Sequence, residues 1–380
     1  MRILHVLAAL DGGGVEALLK SYYSHMDHQR FQFDFVVHGT RKGFLERWFE
    51  QQGCTIYRVP PKSLNPLLNL IKLRKIIAAG HYDVVHVHQG VMSAFPLMFA
   101  KSSGVPVRIA HSHIAAVDKK KPLEGWLRKK VLESATHLVA CSQEAGAWLF
   151  GPQVQDSKRF FLLPNAIEVE PFDWNAETRE KVRAQMELRD RFTIGMVARF
   201  TSQKNHVFFL EIAAQIVKQR EDAVFLLVGD GPLKGKIEKQ AQEMGLSDHI
   251  RFLGKRMDVG ALMQAMDCFL LPSLYEGFGL VLLEAQASGL VCFTSKDVVP
   301  EAANVTGLVR YIPLEAGGAA WCEQMLHTDL PERKSWKKQI AEQGYDIREQ
   351  AEKLELCYQQ WVASAGRNGG ASDGHAYRTK

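Results

Sequence analysis

The sequence has 380 residues, of which 46% are hydrophobic and 23% are charged, and its formal net charge is +5. These values are ordinary for a globular protein, and the length predicts two or three domains with enough apolar residues for two sizeable cores. No stretch of 18 apolar residues occurs, which excludes a transmembrane helix.

The cysteines and the first residues indicate where the protein works. None of the six cysteines belongs to a C-x-x-C pair, so buried reduced thiols are expected rather than a disulfide or zinc framework. The cysteines are Cys54, Cys141, Cys268, Cys292, Cys322 and Cys357. The start, MRILHVLAAL, lacks the flanks and cleavage site of a signal peptide. The cytoplasm is therefore the expected location.

Short apolar runs alternate with amphipathic segments in two series. The first series is RILHVLAAL, FQFDFVVHG, TIYRVP, DVVHVHQ, VRIAHSH, HLVACS and FFLLPN. The second is FTIGMVARF, AVFLLVGDG, IRFLG, CFLLPS and VCFTS. Apolar strands alternating with helices predict an α/β fold with two doubly wound, Rossmann-like domains. Ligands bind beyond the carboxyl ends of such strands, so two facing sheets would place their sites across one cleft.

The domain boundaries follow from polar breaks between these series. We predict an N-terminal domain over residues 1–170, a linker over 171–190 and a C-terminal domain over 191–345. A long amphipathic helix is expected over 346–362. Residues 363–380 are rich in glycine and serine, which predicts a disordered tail.

The first loop, LDGGGVEALL, follows a strand and opens a helix. Gly13 and Gly14 would let the backbone approach a ligand, with helix N–H groups aimed at an anion, and Glu16 is a possible acceptor contact. The loop also fits the weak G-x-G-x-x-A dinucleotide pattern, which leaves an NAD(P) alternative open. The next strand, however, ends without the acid that usually binds the ribose. A tight turn without function is equally compatible with this loop.

In the second series, VARFTSQKNH places Arg199 and Lys204 at a strand–helix junction. Arginine can bind phosphate in a bidentate way and lysine adds a point charge, so the pair could hold a diphosphate that gains charge as it leaves. Solvated surface charge is the alternative interpretation. Gly231, in the turn GDGPL, and Leu253, at the end of IRFLG, are assigned to the floor of the same donor site.

Histidines follow two strands of the first series. His111 and His113 in RIAHSH lie on the same face of their strand, and such imidazoles could bind a sugar or stabilise developing charge. His86 and His88 in VVHVHQ repeat the pattern and are weaker candidates, because a histidine in a strand is more often structural.

The stretch LYEGFGLVLLEAQASG predicts a loop and then a helix that begins near residue 279. The unpaired N–H groups at this helix start form a phosphate site. They belong to Phe278, Gly279, Leu280 and Val281. Glu284 lies just over one turn deeper, where its carboxylate could accept both ribose hydroxyls, and Glu276 would face the donor sugar. An exposed helix acid is a poor alternative for Glu284, because its neighbours are apolar.

Residues 119–130 combine lysines and arginine with Trp126 and Leu127. The cations are Lys119, Lys120, Lys121, Arg128, Lys129 and Lys130. Cations interleaved with Trp and Leu suit an anionic bilayer surface, although a solvated helix is equally compatible. Nucleic acid is not expected, since the charge is confined and no recognition motif appears.

Together these motifs resemble family four of the glycosyltransferases, which have the GT-B fold and act with retention. EGFGLVLLE is similar to the E-x7-E motif, and GGVE, ARFTSQK, GDGPL and PNAI occur in the family order over roughly residues 1–362. The resemblance is strongest to bacterial capsular and exopolysaccharide enzymes. Ala166, Val291 and Ile114 depart from the residues usual in the family, and Ile114 bears on acceptor contacts.

The resemblance implies residue roles. Arg199 and Lys204 would hold the donor diphosphate, Glu284 the ribose and Glu276 the donor sugar, while His113 would lie near the reacting sugar. The Gly13–Gly14 loop would close near the phosphates and the acceptor. The C-terminal helix usually crosses back to the first domain.

The expected activity is therefore retaining sugar transfer from a nucleotide sugar, such as a UDP-sugar, to a lipid-linked saccharide. No metal and no cofactor are expected, and the protein could associate peripherally with the inner face of the cell membrane. Two alternatives remain: an NAD(P)-dependent oxidoreductase and a non-catalytic protein that binds nucleotide sugars.

Overall fold

The computed structural model of the protein describes residues 1–113 and 123–368. The chain divides into two compact units, each with its own parallel sheet. Among the described residues, unit 1 comprises those of Met1–Pro164 together with Ile347–Asn368, and unit 2 comprises Asn165–Asp346.

Unit 1 contains a seven-stranded parallel sheet. Its strands are β1 (Arg2–Leu7), β2 (Gln32–His38), β3 (Thr55–Val59), β4 (Val84–Val87), β5 (Val107–Ser112), β6 (His137–Ala140) and β7 (Phe160–Leu162). They lie in the order β3-β2-β1-β4-β5-β6-β7. The connecting helices are α1 (Gly14–His25), α2 (Glu46–Gln51), α3 (Pro66–Ala79), α4 (Ala94–Ser102), α5 (Glu124–Ser134) and α6 (Gln143–Phe150). All seven apolar runs of the first series are strands, as predicted.

Unit 2 contains a six-stranded parallel sheet in the order β10-β9-β8-β11-β12-β13. Its strands are β8 (Thr193–Val197), β9 (Val224–Val228), β10 (Ile250–Gly254), β11 (Cys268–Leu271), β12 (Val291–Ser295) and β13 (Val309–Ile312). The helices are α7 (Ala176–Gln185), α8 (His206–Gln219), α9 (Lys234–Glu243), α10 (Val259–Ala265), α11 (Leu280–Ala287), α12 (Gly317–His327) and α13 (Lys337–Glu342). The final helix, α14 (Ile347–Asn368), clusters with unit 1 and contacts α1.

Three features differ from the sequence predictions. The segment 171–190 is not a free linker, because it contains α7 and belongs to unit 2. Helix α14 continues six residues beyond the predicted end at residue 362, and residues 369–380 of the predicted tail lie outside the described residues. Strand β13 was not predicted, because Arg310 and Tyr311 interrupt its apolar pattern at the edge of the sheet.

Local sequence determines several of these boundaries. Asn65 caps α3 by accepting a hydrogen bond from the Leu68 N–H at 2.9 Å, and Ser142 caps α6 in the same way. All five residues of β9 are buried, as expected for a strand covered on both faces. The six cysteines are free thiols. None of the described helices has the length and apolarity needed to cross a bilayer.

Candidate active site

Each sheet has one position where the strand order reverses, and the candidate residues lie around these two positions. In unit 2 the reversal falls between β8 and β11. In unit 1 it falls between β1 and β4. Ligands of doubly wound sheets bind beyond the carboxyl ends of the strands at such a reversal, so the candidate residues of each unit lie in the place that topology favours.

In unit 2, Lys204 and Glu276 form an ion pair although they lie 72 residues apart in sequence. Their side chains are only 17% and 6% exposed. The Ser273 hydroxyl donates a second hydrogen bond to the Glu276 carboxylate at 2.8 Å. The sequence predicted both residues for the site but not this pairing, which joins the loop after β8 to the loop after β11.

The two loops are also joined through their backbones. The Leu274 N–H donates to the Gln203 carbonyl at 2.8 Å, and the Gln203 side chain donates to the Tyr275 carbonyl at 2.9 Å. Asn205 starts α8 in the left-handed conformation, with φ 52°. These contacts turn Lys204 towards Glu276.

Arg199 follows β8 and is exposed. Among the described residues its guanidinium has no hydrogen-bond or ion-pair partner. Lys204 is held by a carboxylate, whereas Arg199 keeps all five donors free for an anion. The predicted diphosphate-binding pair therefore consists of one oriented cation and one free cation.

The turn after β9 passes very close to the backbone that carries Arg199. A Cβ atom on Gly231 would lie 2.5 Å from the Phe200 carbonyl oxygen, so only glycine fits there. The Phe200 N–H donates to the Asp230 carbonyl at 3.0 Å. Gly231 thus supports the Arg199 loop. Leu253, near the carboxyl end of β10, is half-buried against the core of unit 2.

Helix α11 begins directly after Gly279, which adopts φ 76°. Among the described residues, the first backbone bond into this helix runs from the Leu282 N–H to the Gly279 carbonyl, at 2.7 Å. The N–H groups of Leu280 and Val281 precede it, as expected for a helix start that can bind an anion. Phe278, just before the helix, is buried and packs against Tyr345.

Glu284 lies in the second turn of α11, between the buried residues Leu283 and Ala285. No hydrogen bond from a described residue reaches its carboxyl. Burial raises the pKa of the Glu284 carboxyl to about 7, and the nearby negative charge of Glu168 adds to the increase. A carboxyl in this state is ready to accept hydrogen bonds from a ligand.

In unit 1, Gly13 is the N-cap of α1, and Gly12 before it has φ 88°. The Glu16 carboxylate folds back and lies where a Cβ atom of residue 13 would be. The role of Gly13 and Gly14 in binding a ligand remains a prediction from the sequence.

Five histidines form one cluster at the carboxyl ends of β1, β4 and β5. His88 contacts His5 at 3.0 Å and His113 at 2.8 Å through its two ring nitrogens. The His86 ring lies 3.1 Å from a ring nitrogen of His111. The rings of His111 and His113 are stacked with centroids 3.9 Å apart.

Burial keeps these histidines neutral. It lowers the pKa of His5 and of His113 to about 3. Burial, with repulsion from neighbouring imidazoles, also lowers the pKa of His86, His88 and His111 well below the ordinary value. A neutral His113 can exchange hydrogen bonds with a sugar, but it brings no positive charge.

Sequence reasoning missed two members of this arrangement. His5 is the one polar residue inside the otherwise apolar run ILHVL, which was a usable signal. Tyr358 of α14 lies with its hydroxyl 2.7 Å from His86, and nothing in the sequence relates these two residues. Ile114, which bears on acceptor contacts, lies outside the described residues.

Two family models match most of the chain. Residues 12–171 match the model described as Glycosyltransferase Family 4, and residues 178–311 match the model described as Glycosyl transferases group 1. The "Putative glycosyltransferase EpsF" of Bacillus subtilis (strain 168) is 34% identical over 359 residues, which cover 92% of this chain and 94% of that protein.

A second relative is the "UDP-Gal:alpha-D-GlcNAc-diphosphoundecaprenol alpha-1,3-galactosyltransferase" of Escherichia coli. It is 30% identical over 243 residues, covering 61% of this chain and 62% of that protein.

Two solved structures share the fold. Anabaena Alr3699/HepE in complex with UDP-glucose has a TM-score of 0.70 at 18% identity and covers 97% of this chain and 100% of its own. The sucrose-phosphate synthase of Thermosynechococcus elongatus has a TM-score of 0.72 at 19% identity. The match covers 96% of this chain and 100% of that protein's chain. The predicted fold class, α/β of the GT-B type with two Rossmann-like domains, is confirmed. The chain is a glycosyltransferase that belongs to group 1, family 4.

Proposed function

We propose that this glycosyltransferase moves a hexose from a UDP-sugar to a lipid-linked saccharide during capsular or exopolysaccharide synthesis, with retention at the anomeric carbon. The name of the Escherichia coli relative supports the UDP donor and the diphosphate-linked acceptor. Anabaena Alr3699/HepE, which shares the fold, was solved in complex with UDP-glucose, and this supports a UDP-sugar as the donor. The motifs that this chain shares with capsular and exopolysaccharide enzymes support a role in polysaccharide synthesis.

The observation that carries the proposal is the arrangement in unit 2. Arg199, which has no partner among the described residues, and oriented Lys204 follow β8, and the start of α11 follows the neighbouring strand β11. Positive charge is therefore offered at one edge of the sheet, and Glu284 offers an acceptor one turn further along α11. A ribose, a diphosphate and a sugar would follow in that order from Glu284 towards Glu276. This sequence of groups matches a nucleotide sugar better than any ligand without a diphosphate.

The chemical step breaks the bond between the anomeric carbon and the UDP oxygen. The bonding electrons leave with the diphosphate, whose added charge Arg199 and Lys204 stabilise. The acceptor hydroxyl attacks the same face of the oxocarbenium-like sugar, and its proton passes to the departing phosphate oxygen. No side chain becomes covalently linked and no metal is required in this scheme.

Two alternatives are separable from the proposal. Membership of a glycosyltransferase family removes the support for an NAD(P)-dependent oxidoreductase, and binding of UDP without NAD(H) would complete that exclusion. A non-catalytic protein that binds nucleotide sugars would retain UDP affinity but release no nucleotide in the presence of acceptor.

The test is a panel of nucleotide sugars measured by thermal shift and by nucleotide release. We expect a UDP-sugar to raise Tm by mass action and UDP to be released only when a polyprenyl-diphosphate saccharide is added. A Tm shift without release would favour the non-catalytic alternative, and no shift with any UDP-sugar would contradict the donor assignment.

For peripheral membrane binding, the predicted segment 119–130 is only partly described. Lys119, Lys120 and Lys121 lie outside the described residues. In α5, Arg128 is paired with Glu124, while Lys129 and Lys130 are paired with Glu133. These internal pairs leave less free charge than the sequence indicates, although Leu123 and Trp126 are exposed.

Helix α3 adds a surface that the sequence motifs did not indicate. Its side of unit 1 exposes Leu64, Leu67 and Ile71 at 79%, 68% and 55%. The exposed cations Lys72 and Lys75 follow immediately, without ion pairs among the described residues. Apolar and cationic side chains together suit an anionic bilayer. We therefore include α3 in the proposed membrane surface.

The vesicle test uses the double variant Leu67→Ser/Ile71→Ser. Binding to vesicles with anionic lipid should weaken at least fivefold, because two exposed apolar side chains are lost. Met257→Ser in unit 2 is the matched control, since Met257 is 60% exposed, and it should bind as the unaltered protein does. Equal binding of both variants, or binding that salt does not weaken, would contradict the proposal.

A further inference from the structure

Three members of the histidine cluster meet at one point. His88, His111 and His113 each offer one ring nitrogen, and these three nitrogens all lie within 4.8 Å of one another. Imidazole nitrogen is a ligand that Zn²⁺ and other late first-row divalent cations favour. Three histidines with an open fourth position are also a recognised zinc arrangement.

Two of the three histidines, His88 and His111, have outer contacts of the kind that orient metal-binding imidazoles. His5 holds the other ring nitrogen of His88 at 3.0 Å, and His86 holds Nδ1 of His111 at 3.1 Å. The Tyr358 hydroxyl in turn holds His86 at 2.7 Å. Such second contacts fix the tautomer and orientation of a ligating imidazole.

His111 supplies an independent observation. Its side chain is 2% exposed, and its Nε2 atom is buried without any hydrogen-bond partner among the described residues. A buried polar nitrogen without a partner is costly, and an ion is one of the few explanations for it.

We propose that His88, His111 and His113 bind a late first-row divalent cation, with Zn²⁺ as the type ion. Nitrogens that share a tetrahedral zinc lie roughly 3.3 Å apart, so the present 2.8 Å between His88 and His113 has to widen by about half an ångström. His88 and His113 are only half-buried, which provides a route for the ion.

A second grouping, His5 with His86 and His88, is also close enough to hold an ion. His5 and His86 are 0% and 1% exposed, so this grouping lacks a comparable route from solvent. The His88–His111–His113 site is therefore the one that we assign.

The site has a consequence for sugar transfer, which rests on the proposed function. An ion on His113 would occupy a ring nitrogen of the residue that is expected to lie near the reacting sugar. Zn²⁺ should then inhibit transfer, and a chelator should restore it. Metal binding itself depends on no assumption about the reaction.

The experiment is a Zn²⁺ titration of the full chain against a chromophoric chelator, without substrates. We expect one equivalent of Zn²⁺ to bind, and binding to weaken at least tenfold in His113→Asn and in His111→Asn. His327→Asn, which alters an exposed histidine of unit 2, should bind as the unaltered protein does. No stoichiometric binding, or unchanged binding in His113→Asn, would overturn the proposal.

A second measurement tests the proposed zinc site if His111→Asn and His113→Asn do not fold. The Zn²⁺-loaded, unaltered chain is examined by X-ray absorption at the zinc edge. Three imidazole nitrogens at about 2.0 Å support the site. A six-coordinate, oxygen-rich environment overturns it.

Discussion

At the residue scale, Glu284 combines an energetic cost with a predicted binding role. An unfolded glutamate loses its proton near pH 4.5, whereas folded Glu284 keeps it until about pH 7. The group's contribution to stability is therefore fully present below about pH 4.5 and is lost as the pH rises through 7. Above that pH the free protein carries an ionised carboxylate without a hydrogen-bond donor among the described residues.

Glu284→Gln should separate stability from binding. Above pH 7 the variant should be more stable by up to about 3 kcal/mol, since it lacks the ionised carboxylate. The difference in Tm should shrink towards about pH 5. UDP affinity should fall about tenfold or more, because hydrogen bonds from the ribose to a charged acceptor are lost. Thermal unfolding from about pH 5 to 8 and calorimetric titration with UDP measure the two effects.

Glu315→Gln is the control, because Glu315 is an exposed acid of the same unit. It should change neither Tm nor UDP affinity appreciably. Unaltered UDP affinity in Glu284→Gln would contradict the predicted ribose contact.

The two predicted diphosphate cations should behave differently when removed. Lys204→Met leaves Glu276 as a buried, unpaired charge, so Tm should fall by roughly 5 to 10 °C. Arg199→Met should leave Tm nearly unchanged, because the exposed guanidinium has no partner among the described residues. Both variants should weaken UDP binding. Calorimetric scans and UDP titrations of the two variants provide the comparison.

The double variant Lys204→Met/Glu276→Gln checks the reason for the lost stability. It should recover much of the Tm that Lys204→Met loses, because no buried charge remains unpaired. If the double variant is less stable than the sum of the single effects, the pair does not account for the loss.

The sequence indicated the site residues one by one, through their types and positions after strands. It could not indicate the Lys204–Glu276 pair, because that contact depends on β8 and β11 being neighbours in the sheet. The same holds for His86 and Tyr358, which lie 272 residues apart.

At the element scale, the turn after β9 should control the Arg199 loop. Gly231→Ala places a methyl group against the Phe200 carbonyl, so it should destabilise unit 2 by about 2 kcal/mol and weaken UDP binding. Gly235→Ala is the matched control, since it lies in α9 with open space around it. That change should be neutral or slightly stabilising. Measurements of Tm and UDP affinity compare the two variants. Equal Tm and UDP affinity in Gly231→Ala and Gly235→Ala would contradict the supporting role of Gly231.

Apolar runs made most elements predictable, because buried parallel strands are nearly continuous in hydrophobic residues. Strand β9 is such a run. Strand β13 pairs only with β12 among the described strands, and its exposed Arg310 and half-buried Tyr311 give no such signal. Edge strands of this kind are identified by their pairing more than by their composition.

At the scale of the whole molecule, two series of strands were enough to predict two Rossmann-like units. The boundary was harder to predict, since α7 is highly polar and its sequence resembles a linker. In the structure, Arg179 and Arg183 of α7 bind Asp267, which precedes β11. Polar contacts of this kind attach a helix to a domain without an apolar stripe in its sequence.

Helix α14 is a second element whose domain could not be predicted from its sequence. Its amphipathic pattern predicted a helix, and its membership of unit 1 depends on contacts that only the structure gives. The ring of Trp361 stacks on that of His137 with centroids 4.4 Å apart, and the Tyr358 hydroxyl contacts His86 of the histidine cluster. The end of the chain thereby supports the candidate site of unit 1.

Retaining sugar transfer is tested most directly by the anomeric configuration of the new linkage. The chain is incubated with an α-linked UDP-sugar and a polyprenyl-diphosphate saccharide, and the product is examined by proton NMR. We predict an α linkage, formed at a rate that Glu276→Gln lowers about a hundredfold. A β linkage, or release of free sugar as the sole product, would contradict the proposed function.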